Sequence, residues 1–220
     1  MRPSVTVENY LKQICLRQQR SESAELVPMG GLAEAVGVTP GTATTMVKSL
    51  AEAGLVDYAP RAGVKLTTAG RSLAHRVLRR HRLVEQFLVE VLDMDWAEVH
   101  DEAEELEHAV SDKLLERIDA RLGHPETDPH GSPIPRGNRP LPRDGGSGLD
   151  AATPGQSWTV SRIVDHDPAF LRFVEAHGLV PGAAVRVVEQ SPHAESTTVA
   201  AQGFGQVTLG RGAARRVRVA

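Results

Sequence analysis

The sequence predicts a mainly α-helical chain ending in a small β domain. Three observations carry this. A helix-turn-helix pair and a Gly-containing hairpin open the chain, and two long helical stretches follow over 68–122. Short Val-rich runs separated by turn residues close it.

Residues 4–20 read as a helix, with Tyr10, Leu11, Ile14 and Leu16 at roughly helical spacing. Residues 28–36 form a short helix ended by Gly37. Thr39 caps the next helix, Pro40 fits its first turn because its missing N–H is harmless there, and Gly54 stops it. Two β-prone runs then flank Arg61-Ala62-Gly63, a hairpin signal. Residues 68–92 are predicted as one helix and 95–122 as another, ended by Gly123. The Pro- and Gly-rich stretch 124–156 reads as a linker, ordered at most at its start. Beyond it, WTVSRIV, AAVRVVEQ, STTVAA, QVTLG and RRVRVA, with a short helix at 168–177, predict a small β-barrel. The expected boundaries are 1–72 for the winged helix-turn-helix, 73–140 for a helical domain, 141–156 for a linker and 157–220 for the barrel.

Aromatics are only 4% of residues, so the cores must be aliphatic. No apolar run approaches the ~20 residues of a membrane span, and the N-terminus lacks an apolar signal core. A soluble, cytoplasmic protein without membrane partners is expected. The single cysteine, Cys15, excludes an internal disulfide and a Cys-rich zinc site. The net charge of −3 conceals an asymmetry: residues 1–92 carry +4, 93–130 carry −10 and 131–220 carry +3. The basic front suits phosphates, and the acidic middle suits cations.

Two short helices and a hairpin wing describe a DNA-reading unit for double-stranded operator DNA. Thr39, Pro40, Thr42, Thr44, Thr45 and Lys48 are the candidate reading face of its second helix, and Arg61 and Lys65 on the wing are candidate phosphate contacts. Small hydroxyls admit close approach, and the scarcity of Arg, Asn and Gln implies a contribution from DNA shape. Used for protein contacts instead, the same winged helix would leave these residues a merely solvated face.

HDEAEELEH spans His100 to His108. At ~100° per residue, His100, Glu104, Glu107 and His108 fall on one helical face, beside an apolar stripe of Val99, Leu106 and Val110. On the preceding helix, His81 and Glu85 lie within or beside the stripe Val77, Val84, Leu88 and Val91, where a carboxylate needs a partner. A divalent cation shared between the helices would supply it. The alternative is that each histidine is structural and the glutamates form a solvated face; Asp112 and Glu116 are read that way. The spacing is not HExxH, and no nucleophile with a paired base is legible, so neither an enzyme nor a small organic substrate is expected. Oxygen-rich ligands with imidazoles suit Mn(II) or Fe(II), with Zn(II), Co(II) and Ni(II) able to substitute in vitro.

RRHRLVEQFL (79–88), VHDEAEELEHAVSD (99–112) and DPHGSPIP (128–135) resemble the diphtheria-toxin-repressor family of metal-dependent regulators. The resemblance implies a winged helix, a helical dimerisation and metal-binding domain and an SH3-like barrel. It implies a primary site of Glu104, Glu107 and His108 with Asn9, and His81 also matches a ligand position. His100 and Glu85 match a second site, and in some members that site, or a third, draws on Asp128, His130 and a barrel carboxylate, Asp167. Glu104 stands where iron sensors carry Cys, which is similar to the manganese transport regulator branch. Two departures stand out: Asn9 replaces an Asp of manganese sensors, and Lys12 replaces a ligating Glu.

The expected function is Mn(II)-dependent transcriptional regulation, as a homodimer on palindromic DNA, by repression of metal-uptake genes. Metal would tie the first helix to the dimer core, and activation of efflux genes is a further expectation. The alternatives are an iron-dependent repressor of the same family and a metal-independent winged-helix regulator.

Overall fold

A computed structural model describes residues 3–20, 26–137, 141 and 146–220. The chain divides into two compact units: residues 1–81, 107–109 and 135–144 in one, and 82–106, 110–134 and 145–220 in the other.

In the first unit, α1 (Val5–Arg20), α2 (Met29–Ala35) and α3 (Pro40–Glu52) precede the antiparallel hairpin β1 (Val56–Ala59) and β2 (Gly63–Leu66). The first part of α4 (Thr68–Leu92) completes it. Tyr10, Leu11, Ile14 and Cys15 of α1 are buried with Leu32, Val47, Leu50, Val56 and Val64, while Leu16 is only partly covered. Thr39 caps α3 by accepting from the Thr42 amide at 3.2 Å. Gly63 has φ +141°, and a Cβ there would fall 2.5 Å from the Val27 carbonyl oxygen, so the wing packs on Val27 only because position 63 has no side chain.

In the second unit, the end of α4 packs with α5 (Val99–Leu106) and α6 (Asp112–Arg121) around Leu83, Val84, Leu88, Val99, Ala103, Val110, Leu115 and Ile118. The helix expected over 95–122 is thus two helices. Glu107–Ala109 form a turn, and Ser111 caps α6 by accepting from the Leu114 amide at 3.2 Å. The break turns Leu106 outward, and Ala103 takes its expected place in the core.

The sheet of this unit runs β3 (Ser147–Gly148), β8 (Val217–Val219), β4 (Ser157–Ile163), β5 (Ala184–Ser191), β6 (Ser196–Ala201), β7 (Gln206–Gly210), with all pairs antiparallel. Helix α7 (Pro168–Ala176) and a second helix, α8 (Arg211–Arg216), which was read as part of a strand, complete the barrel. The barrel also starts earlier than expected. Leu149 and Ala152 are buried in its core, so 146–156 belong to it rather than to a linker; most of 138–145 lies outside the described residues.

Candidate metal centre and nucleic-acid interface

On the DNA-reading helix, Thr39, Pro40, Thr42, Thr45 and Lys48 are exposed and Thr44 is half-buried. The hydroxyls of Thr44 and Thr45 donate to the carbonyls of Pro40 and Gly41, at 2.7 and 3.1 Å. Those of Thr39 and Thr42 lie 2.9 Å apart. The Thr44 and Thr45 protons and one proton of the Thr39/Thr42 pair are therefore engaged within the helix, and the remaining hydroxyl proton, the lone pairs and the methyl groups suit thymine methyls and close backbone approach. Arg61 is exposed at the wing tip with φ +65°, and Lys65 is half-buried opposite Asp57 in the hairpin register.

The Glu/His residues are drawn from both units. In the first, Glu107 is fully buried. Its Oε2 accepts from Lys12 Nζ at 2.7 Å and lies 2.8 Å from His81 Nδ1. Its Oε1 lies 3.3 Å from His108 Nε2, and His108 Nδ1 lies 2.7 Å from Glu8 Oε2. Arg80 donates to the other oxygen of Glu8 at 3.2 Å. Both nitrogens of His108 therefore face carboxylates, and two acids are set against two obligate cations. The Asn9 side-chain oxygen is buried here without a hydrogen bond. Of the residues expected in a primary site, Asn9, His81, Glu107 and His108 share this unit; Glu104 belongs to the other.

In the second unit, Glu85 is 1% exposed and its Oε1 lies 3.2 Å from His100 Nδ1. Glu104, half-exposed, has its Oε1 3.7 Å from His100 Nε2. The His100 ring stacks on His166 at 3.8 Å between centroids, and His166 meets His130 edge-on at 5.8 Å. Glu85, His130 and His166 bring a ligand atom each to within 4.8 Å of one another.

His130 is the most informative member. It is fully buried, stacked on Trp96, and its Nε2 lies 2.9 Å from the Trp96 carbonyl oxygen. A carbonyl only accepts, so Nε2 carries a proton, and in the neutral ring Nδ1 then presents its lone pair. That Nδ1 is buried with no hydrogen-bond partner. A divalent cation fits such an atom beside a buried carboxylate.

Strand β4 sets this geometry. The Ile163 amide donates to the His130 carbonyl at 2.9 Å. Gly131, at φ +89°, packs so closely on β4 that a Cβ would fall 2.2 Å from the Ser161 carbonyl oxygen. Three residues past the strand end, the same chain delivers His166.

Two expected ligands do other work. Asp128 Oδ1 accepts from the amides of His130 and Ser132, both at 2.9 Å, and Oδ2 lies 3.6 Å from Arg82. It shapes the loop that carries His130. Burial and the nearby Glu85 raise its pKa against the lowering effect of Arg82. Asp167 is exposed and caps α7 by accepting from the Ala169 amide at 3.0 Å. The barrel residue at the cluster is His166, which sequence reading missed in favour of its neighbour. The one available signal was a histidine between two aspartates in Asp165-His166-Asp167. Glu8 and Arg80 were also missed, because carboxylate and guanidinium on helices read as solvated.

Comparison with known proteins matches three stretches of the chain. Residues 4–64 match the iron dependent repressor N-terminal DNA binding domain, 67–136 its metal binding and dimerisation domain, and 148–220 the FeoA domain. The chain is 31% identical over 232 residues to the iron-dependent repressor IdeR of Mycobacterium leprae, covering 97% of this chain and 96% of that one. Over 73% of its length, and 66% of the relative, it is 33% identical to the diphtheria toxin repressor of Corynebacterium diphtheriae. Among solved structures, a manganese-dependent transcriptional repressor in complex with manganese superposes with TM-score 0.88 at 43% identity, covering 97% of this chain and 98% of the other. The manganese regulator SloR does so with TM-score 0.77 at 32% identity, covering 100% and 99%. Among the described residues, no helix is long and apolar enough to cross a membrane. The chain belongs to the iron-dependent repressor family of metal-dependent, DNA-binding transcriptional regulators, which are not enzymes.

Proposed function

We propose that this protein is a Mn(II)-responsive repressor of metal-uptake genes that binds palindromic operator DNA as a homodimer. We further propose that the responding ion is held by Glu85, His100, His130 and His166, with Glu104 at the rim. The observation that carries this is the buried Nδ1 of His130, which has no hydrogen-bond partner while Nε2 faces the Trp96 carbonyl. When bound, a divalent cation supplies a positive charge that Glu85 and the imidazoles can share. The protein's own part is to orient them: Asp128 and Gly131 hold the His130 loop on β4, and His100 stacks on His166. This reverses the ranking that the resemblance implied, making its second site the principal one.

Manganese is favoured because Glu104 is a carboxylate, no thiolate accompanies the cluster, and the solved relatives named above are a manganese-dependent repressor and a manganese regulator. The test is DNA affinity across a metal series at one fixed salt concentration, since phosphate contacts make affinity salt-dependent. Mn(II) should raise it by at least about tenfold, a typical allosteric coupling. Equal affinity with and without every metal would overturn the reading and favour the metal-independent regulator.

An iron-responsive reading has one observation in its favour: the curated relatives that align end to end are iron-dependent repressors. Glu104→Cys separates the two. It should move the ranking from Mn(II) towards Fe(II) and softer ions. An unchanged ranking would show that Glu104 does not set selectivity.

A further inference from the structure

Arg17 lies near the end of α1, half-buried, and its side chain reaches the first turn of α2. A Cβ built on Gly31 would stand 3.2 Å from Arg17 Nη1 and 3.7 Å from its Cζ, so the guanidinium lies in the room that Gly31 leaves. The neighbouring Gly30 faces open space. Arg17 Nε is buried with no hydrogen-bond partner, and among the described residues no acid pairs with this guanidinium. Two other buried cations of the unit are different: Lys12 donates to Glu107 and Arg80 to Glu8. The next residue, Gln18, accepts from the Leu66 amide of the wing at 3.3 Å. The end of α1 therefore meets both the first helix of the helix-turn-helix and the wing.

We propose that Arg17 contacts a DNA phosphate, a binding residue that lies outside both the Thr-rich helix and the wing. In a helix-turn-helix the second helix enters the major groove while the first crosses the sugar–phosphate backbone. A guanidinium held against the first turn of that first helix is carried to the backbone when the α3 hydroxyls meet the groove. Its planar array of donors suits phosphate oxygens, and it is weakly hydrated for a cation. Arg17 also has no acid to give up, so a phosphate brings it a counter-charge without breaking an ion pair of the fold. A contact of this kind fixes where the helix pair sits on the duplex and carries no sequence information. The competing role is packing alone, with the stem covering apolar surface and the head left in water. That role predicts no dependence on DNA.

The test needs no operator sequence, because non-specific binding is electrostatic. Full-length protein with Mn(II) in excess is titrated against labelled duplexes of mixed, A·T-rich and G·C-rich sequence, and anisotropy is read from about 50 to about 200 mM salt. Arg17→Gln should reduce the slope of log affinity against log salt by about 0.9 for each protomer on the duplex. Over that fourfold rise in salt the parent then loses about 3.5-fold more affinity per contact than the variant does. The reduction should be the same on all three duplexes, and Arg17→Lys, which keeps the charge, should retain the parent slope. Arg117→Gln, at an exposed position of α6, makes the same change in net charge and should also keep it. A parent-like slope in Arg17→Gln overturns the proposal, as does a reduction confined to one duplex. An equal reduction in Arg17→Lys or in Arg117→Gln overturns it too. If Arg17→Gln does not fold, Arg17→Met, which keeps the apolar stem, decides in its place. The inference rests on the DNA-binding reading and not on the metal assignment. A parent that binds no duplex overturns that reading, whereas an unchanged slope overturns the role of Arg17 alone.

Discussion

Two histidine and glutamate clusters of similar composition sit in the two units, and they differ in who supplies the positive charge. Around Glu107 the counter-charges are covalently attached, Lys12 and Arg80, and His108 has an acid at each ring nitrogen. Around Glu85 the neighbours are imidazoles, one of which, His130, has its Nε2 engaged by the Trp96 carbonyl and its inner nitrogen without a hydrogen-bond partner. The first arrangement carries its positive charges on the protein's own side chains. The second is the one proposed above to take up a cation. Residue types alone do not distinguish them; partner geometry does.

The sharpest way to break this comparison is to remove the tethered charge. Lys12→Met should leave Glu107 buried without its ammonium and cost about 3–5 kcal/mol. Both tryptophans, Trp96 and Trp158, lie in the second unit, so tryptophan fluorescence is blind to this loss. Hydrogen exchange of the α1 amides is the suitable measurement. Unchanged α1 protection would mean that the Lys12–Glu107 pair contributes nothing to the first unit.

That dependence on geometry explains what the sequence could and could not deliver. Helical periodicity and caps made α1 to α4 legible, because Thr39, Gly37 and Gly54 act locally. The break at 107 was missed although Ser111 is a good N-cap, because the Glu/His spacing looked continuous across it. His81, Glu85, His100, Glu107 and His108 were legible as chemistry-bearing residues, but their sorting into two clusters was not. That sorting depends on contacts such as Lys12 to Glu107, which lie 95 positions apart. His166 was hidden for the same reason: the register of β4 against the His130 loop places it, and no local pattern encodes that register.

The second cluster breaks at its least replaceable atom. His130→Ala removes the bare nitrogen and should weaken Mn(II) binding by about 100-fold, more than loss of an outer neighbour alone. It should also abolish the metal dependence of DNA affinity while leaving the metal-free value intact, which fluorescence anisotropy on labelled duplex can read. Gly131→Ala should act indirectly. Its φ of +89° and the 2.2 Å approach to the Ser161 oxygen force the loop off β4, at about 1–3 kcal/mol. Metal affinity should fall with stability because His130 moves with the loop. A Gly131→Ala protein of reduced stability but full Mn(II) affinity would show that the loop is not what positions the ligand.

The smallest expected effect lies at the segment carrying His166 and tests whether the protein organises it without help. Burial alone would raise the Asp165 pKa, but the carboxylate accepts from the Asp167 and His166 amides at 2.9 and 2.7 Å and from Arg216. Together these outweigh burial and lower the pKa below the ordinary carboxylate range. A folded-state pKa below the unfolded value means that the ionised form favours folding. That stability is present in full above the unfolded pKa and is lost as pH falls through the folded value. Asp165→Asn should therefore lower stability at neutral pH and flatten the acid limb of the stability profile in urea titrations followed by Trp158. The group is partly exposed to solvent, so the change should be modest and shrink with added salt. An acid limb as steep in Asp165→Asn as in the parent would mean that this turn is held by the backbone alone, and that His166 owes its position to β4 rather than to the aspartate before it.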